Sequence, residues 1–325
     1  MQRELDHYVT RFAKLRTDRS NPWGAKTRHQ APHKALLLFS VLDHFETGEI
    51  TSNLIELTPD LGELFDIYWS LVKPMDREHG NVATPFFHLR NERFWHLLPR
   101  PGQELFIKQS TTIQSVTKLR ETTFGARLDD ALYDLLCTGE GRETLRQALL
   151  DTYFAPELQG HLLAQAVVNA RAVRYAEELL QHASGELHEI SPAYAAEAPV
   201  RDQGFRRAIV RAYDRRCTLC GVRILTADGH TAIAAAHIIP WSQSHDDDPR
   251  NGMALCHLCH WTFDEGLFGV GDDYQIQTSS ELAANENLPG HLHTLGGRPL
   301  IGPAQRQLWP FPRALRWHNT HTFRR

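Results

Sequence analysis

The stretch "APHKALLLFSVLDHFETGEI" places apolar residues at Leu37, Leu38, Val41, Leu42 and Phe45, between a proline and Gly48. That three-and-four spacing predicts a buried helix. "SNLIELTPDLGELFDIYWSLV" predicts a short strand, a helix start at Thr58 and Pro59, and a second helix with Leu61, Leu64, Phe65, Tyr68 and Trp69 on one side. In "TPFFHLRNERFWHLLP" two aromatic, apolar runs flank the polar "RNER", the pattern of a β-hairpin. Helices are expected from about 128 to 182. The stretch "HASGELHEISPAYAAEAPVRDQG" then has no clear period and reads as a linker. Three parts follow: an N-terminal domain over 1–182, a linker over 183–204 and a C-terminal domain over 205–325.

With 325 residues, 42% of them hydrophobic, the chain can build more than one core. It has no run of eighteen apolar residues, and its opening "MQRELDHYVTRF" is charged, without the apolar stretch of a signal peptide. The expectation is a cytoplasmic protein with no membrane partner. The formal charge of -4 speaks against a histone-like polycation, but the charges are segregated. Residues 1–35 carry eight Lys or Arg against three acids, 36–72 carry seven acids and no Lys or Arg, and "FRRAIVRAYDRRC" holds five arginines. The last twenty-five residues add five arginines and no acid. Such blocks suit a phosphate-binding track, and alternating solvated faces would look similar.

Four of the five cysteines form two C-x-x-C pairs, Cys217 with Cys220 and Cys256 with Cys259; Cys137 stands alone. This is the spacing of a closed, structural Zn2+ site. Thirty-five residues separate the pairs, more than a zinc ribbon needs. They contain a β-like run ending at His237 and, after a polar loop, Asn251. His260 follows the second pair, and on a helix starting near Cys259 it would share a face with Asp264, the arrangement for one divalent cation. His257 lies between two ligands and is surplus to a full shell. The run Asp246, Asp247, Asp248 reads as a solvated loop.

"YDRRCTLCG", "AAHIIPW", "NGMALC" and "HWTFDEGLF" together closely resemble HNH, or ββα-metal, nucleases of the McrA type. The resemblance implies that His237 is the general base, that Asn251 orients it and that His260 binds the catalytic cation, Mg2+, Mn2+ or another divalent ion. Phosphodiester hydrolysis needs such a base and such a cation. Many relatives carry Asp or His just before the base, where this chain has Ala236, so the cation is expected to rely on His260, Asp264, water and the DNA phosphate.

"QAPHKALLLFSVLD", "TPFFHLRNERFWHL" and "FGARLDDALYDLL" resemble, more loosely, the sulfur-binding domain of phosphorothioate-sensing restriction endonucleases. That resemblance covers roughly residues 1–180. It implies double-stranded DNA as partner, with sulfur replacing one phosphate oxygen, and assigns His33 and Lys34 to polar contacts. Thr84, Pro85 and His88 would wall the pocket, and Arg90 and Arg127 would contact phosphates. Relatives often have an aromatic residue where Thr84 stands.

The expected fold is therefore α+β: a mainly helical DNA-reading domain with a β-hairpin, then a ββα-metal (HNH) nuclease domain with a structural four-cysteine zinc site. The expected function is cleavage of modified DNA, with cuts in both strands compatible with a homodimer. Three other readings stay open. One is a DNA-binding module whose HNH centre is weak or inactive, another an HNH nuclease that reads a different feature. The third is a zinc-stabilised protein that binds another protein.

Overall fold

A computed structural model describes residues 2–18, 23–73, 80–186, 194, 197–284 and 286–325. The linker expected over 183–204 falls partly outside them. The chain divides into two compact units, one formed by Met1–Ala170 with Thr226–His230, the other by Arg171–Leu225 with Thr231–Arg325.

In the first unit, α1 (Gln2–Phe12), α2 (His33–Glu46) and α3 (Pro59–Val72) precede the short α4 (Ala83–His88). Strand β1 (Trp95–Pro99) comes next, then α5 (Glu104–Gln109), α6 (Val116–Thr122), β2 (Thr123–Leu128), α7 (Asp130–Leu136) and α8 (Gly139–Tyr153). Helix α9 (Pro156–Ser184) begins in this unit and ends in the other. Helix α2 is buried on nearly every side, including Ser40 and Asp43, so it forms the axis of the unit. Helix α3 starts as the Thr-Pro pair demands: the Thr58 hydroxyl accepts from the Leu61 amide and Pro59 opens the first turn, where no amide donor is missed.

The expected hairpin is corrected in its first half. Residues 84–88 are helical, because the Asn81 side chain accepts from the amides of Ala83 and Thr84, which starts α4. Phe86, Phe87 and Leu89 are buried together, which a helical turn allows and an alternating strand does not. The antiparallel pair is instead β1 with β2, Trp95 opposite Leu128.

Buried deep in this core, the Asp43 carboxylate accepts from Tyr68 Oη at 2.5 Å, Asn169 Nδ2 at 2.9 Å and Arg146 Nη2 at 2.9 Å. Burial pushes its pKa up to about 6 against the pull of Arg146. The network ties α2 to α3, α8 and α9.

The second unit continues from α9 into α10 (Ala198–Ala212), β3 (Ile233–His237), the short α11 (Trp241–Ser244) and β4 (Gly252–Cys256). After these come α12 (His257–Asp264), β5 (Phe268–Val270), β6 (Ile276–Thr278) and α13 (Pro312–His321). Strands β3 and β4 pair antiparallel, with His237 opposite Gly252 and Ile233 opposite Cys256, and α12 follows directly. This is a ββα arrangement. Gly252 is required where α10 crosses the sheet: a Cβ there would lie 2.5 Å from Ile209 Cδ1 and 2.8 Å from Phe205 Cζ. Among the described residues no helix is long and apolar enough to cross a membrane.

Candidate nuclease centre and DNA-reading pocket

The four cysteines converge although thirty-five residues separate the pairs. The turn at Cys217–Gly221 closes through Gly221 N to Cys217 O, with Gly221 at φ 77°, a conformation that favours glycine. Cys256 ends β4 and Cys259 lies in the first turn of α12. All four Sγ atoms lie within 4.8 Å of one another. The Sγ atoms of Cys220 and Cys256 are 3.7 Å apart. Thiolates placed ~2.3 Å from a zinc ion at tetrahedral corners are about 3.8 Å apart, so the donor set fits a structural metal.

His237, at the end of β3, lies flat on Phe205 of α10, with ring centroids 3.8 Å apart and planes 7° apart. Its Nε2 is 2.8 Å from Asp247 Oδ1. The acidic run is thus not a solvated loop. Asp247 is 6% exposed, and its other oxygen accepts from Tyr175 Oη at 2.9 Å. Burial, and then the neighbouring carboxylate, hold the Tyr175 phenol well above its ordinary pKa, so it remains a donor. Asp248 caps the turn at 249–251 and takes a two-pronged ion pair from Arg250, while Asp246 accepts from the Asp248 amide. Sequence reasoning discounted Asp247 because its partner Tyr175 lies 72 residues away.

Asn251 is buried, and its side chain does not reach the imidazole. It accepts from Ile239 N at 3.0 Å and donates to the carbonyls of Ile239 at 3.1 Å and Asp246 at 3.0 Å. Its own carbonyl receives the Ile238 amide. Asn251 therefore pins both ends of the loop that follows His237.

His260 and Asp264 share a face of α12, as their spacing predicts, with Nε2 and Oδ2 3.4 Å apart. Two donors at that separation suit adjacent positions on one divalent cation. Among the described residues, the four cysteines are the only group of three or more Cys, His, Asp or Glu donors close enough to hold a metal. Ala236, 1% exposed and paired with Met253 across the sheet, adds no ligand.

In the first unit a cavity of about 670 Å³ is lined by His33, Lys34, Thr84, Pro85 and His88, five of the seven residues singled out for DNA reading. Trp23 and Ala31 add apolar wall; Arg16, Asn81 and Gln114 add polar rim, none of them marked by a motif. Pro85 sits in the first turn of α4, where its missing amide proton is no loss. His33 stacks on Trp69 at 4.8 Å. Lys34 is buried and ion-paired with Glu92; desolvation lowers its pKa and Glu92 holds it up. Burial, with Lys34 and Arg90 adding to it, lowers the pKa of His88, so this imidazole is neutral at pH 7.

Arg90 and Arg127 do not line the cavity. The terminal nitrogens of Arg90 donate to the carbonyls of Ile107 and Ser110, each at 2.6 Å, and its plane covers Phe87 at 3.8 Å. Those bonds commit it internally rather than to phosphate. Arg127 pairs with Asp130 at 2.6 Å on the surface. Three of the C-terminal arginines are likewise paired: Arg313 near Asp246, Arg316 with Asp272, and Arg324 with Glu265 and Glu281. The basic C-terminal block is therefore in part a set of ion pairs within its own unit.

A ββα core with four convergent sulfurs follows a helical domain whose cavity is lined mostly by polar side chains, with Trp23, Ala31 and Pro85 as its apolar part: a nuclease-type module after a ligand-reading one. Residues 217–271 match the HNH endonuclease family, and residues 6–170, just over half of the chain, match the ScoMcrA-like DNA sulfur-binding domain. The chain belongs to the ScoMcrA-like DNA sulfur-binding family and carries a C-terminal HNH endonuclease domain. Among solved structures it is similar to a modification dependent TagI restriction endonuclease, at 24% identity and a TM-score of 0.28. That match covers 38% of this chain and 39% of the other, so well under half of the solved protein is spanned. Among curated proteins none matches.

Proposed function

We propose that this chain is a metal-dependent endonuclease directed to phosphorothioate-modified double-stranded DNA. Residues 1–182 read the DNA, 183–204 link, and 205–325 cut. The observation that carries the reading is the cavity that gathers His33, Lys34, Thr84, Pro85 and His88 in a chain whose second unit is a ββα module. A sulfur-bearing phosphate is larger and softer than its oxygen twin. The apolar wall of Pro85, Ala31 and Trp23 suits the sulfur, while His33 and the polar rim suit the remaining oxygens.

In the second unit His237 is the base that takes a proton from the attacking water. Asn251 keeps its loop in place, and His260 with Asp264 hold a divalent cation such as Mg2+ or Mn2+. When bound, that cation supplies charge stabilisation at the scissile phosphate and leaving oxygen. Zn2+ held by the four cysteines braces the module. Two strands require two cuts, which a homodimer supplies.

The test is cleavage of matched duplexes with and without a phosphorothioate, in both stereochemical forms and several sequence contexts. Cutting of the sulfur duplex alone, lost in EDTA and in His237→Ala, supports the reading; equal cutting of both duplexes overturns the sulfur part. A second reading, a DNA-binding module with an inactive centre, is favoured by the ligand-free Ala236. Sulfur-selective binding without cleavage under any divalent cation would select it.

A further inference from the structure

A neutral imidazole carries one N–H, and the group that accepts it decides which nitrogen is left with a lone pair. His237 Nε2 lies 2.8 Å from a carboxylate oxygen of Asp247. A carboxylate oxygen at that distance pairs with a ring N–H, an arrangement that would place the ring proton on Nε2 and leave the lone pair on Nδ1. Three further contacts hold this arrangement. The Tyr175 hydroxyl donates to the other carboxylate oxygen at 2.9 Å, and Arg201 Nε lies 4.0 Å from that same oxygen. Phe205 lies flat against the imidazole. Arg201 is itself stacked on Trp241 at 3.7 Å, in the helix that follows the His237 loop. A surface acid would not be walled in this way.

We propose that Asp247 is the positioning residue of the nuclease centre, fixing His237 in the Nε2–H tautomer so that Nδ1 is the atom that takes the proton. The proposal rests on the reading of His237 as base and extends it to a specific atom and partner. In the step, a water proton moves to Nδ1 and the water oxygen bonds to phosphorus. The bond from phosphorus to the leaving oxygen breaks, and that oxygen is protonated from solvent. The imidazolium then donates from Nε2 to Asp247, which stays ionised and offsets the new charge. Tyr175 keeps the carboxylate from turning away.

Two measurements on the full-length, zinc-loaded protein test this. The first is the 15N spectrum of the histidine rings, with the His237 signals assigned by their loss in His237→Ala. The expected wild-type signature is Nε2–H, shifting toward a tautomer mixture in Asp247→Asn. An Nδ1–H ring in the wild type, or an unchanged ring in the variant, would overturn the proposal.

The second is single-turnover cleavage. Asp247→Asn is expected to lower the rate constant at saturating DNA by about 100-fold or more, the scale of a misplaced general base, with DNA affinity and cation dependence unchanged. Weakened cation binding in that variant would make Asp247 a metal ligand and overturn the proposal, as would wild-type turnover. Should Asp247→Asn melt far below wild type, Tyr175→Phe carries the test, because the carboxylate remains while one restraint goes. It should keep the Nε2–H tautomer and lose about tenfold or more in rate, the scale of one hydrogen bond to a charged acceptor; an unchanged rate would overturn the bracing role. If the wild type cuts no DNA at all, the nuclease reading fails, whereas the ring spectrum still decides the tautomer.

Discussion

The two units solve the problem of staying folded in different ways. Among the described residues, eleven of the twelve largest fully buried side chains belong to the first unit and one, Phe263, to the second. The first is held by aromatic and aliphatic burial around α2, with buried polar groups at the Asp43 network and at the Lys34–Glu92 pair inside it. The second buries mainly aliphatic side chains such as Ile209, Met253 and Leu255, with Ala236, Ala254 and Cys259 among them, and adds four convergent sulfurs and side chains that pin loops. The large apolar core keeps its buried charges paired, Asp43 with Arg146 and Lys34 with Glu92, while the indole nitrogens of Trp69 and Trp95 lie buried without a partner. The second unit keeps a partly exposed histidine against a buried acid, and that is where a reactive group can be housed.

Removing a sulfur should break the contrast most severely. Cys256→Ser, or prolonged chelation, is expected to unfold the second unit while the first keeps its transition, because the metal supplies folding free energy that the small core does not. Calorimetry together with zinc content checks this, and a zinc-free variant with both transitions intact would contradict it.

Next in size is Asp43→Ala, expected to destabilise the first unit by about 3–5 kcal/mol, since Arg146 would be left buried without its main counter-charge. Denaturant melts measure the difference. A loss below ~1 kcal/mol would show that Glu46, 3.0 Å from Arg146, compensates.

A third test uses pH. His318 is buried with Nε2 3.0 Å from the Phe263 carbonyl, its ring stacked on Phe263 at 3.7 Å and its Nδ1 without a partner. Desolvation lowers its pKa to about 4 from the ordinary 6.5. Between those values the unfolded chain takes up a proton that the folded chain refuses, so the stabilisation is complete above pH 6.5 and is lost as pH falls toward 4. The second unit should lose on the order of 3 kcal/mol across that window from this group. The corresponding part of the slope should vanish in His318→Phe. Parallel pH profiles for wild type and variant would contradict the assignment.

The smallest expected effect sharpens the comparison on the functional side. Pro85→Ala should reduce the preference for a sulfur over an oxygen duplex by about fivefold, the scale of one or two apolar carbons, without moving either melting transition. Competition binding with the two duplexes measures it, and an unchanged ratio would place the sulfur elsewhere.

What was legible in the sequence follows from the range of the interactions involved. Helices α2 and α3 could be read because proline, glycine and a Thr-Pro cap punctuate an unbroken apolar period. The ββα order and the metal cluster could be read because two short motifs bring their own spacing. The stretch 84–88 could not: a short apolar run suits helix and strand alike, and the choice was made by the Asn81 cap, while the strand at 95–99 finds its partner in β2 some thirty residues onward. Asp247 was hidden for the same reason. Three consecutive acids look solvated until Tyr175 and Arg201, from α9 and α10, close over the middle one. Arg90 looked free for DNA until the carbonyls of Ile107 and Ser110 claimed it.

The sealed position of Ala236 bears on how this centre can change over time. The side chain just before His237 lies in β3 with almost no exposure. A single codon change to aspartate would drive a carboxylate into a space made for a methyl group, so the variant would lose stability before it gained a ligand. On the proposed reading of His260 and Asp264 as the cation's ligands, a third ligand at position 236 requires a second change that loosens the neighbours of Ala236.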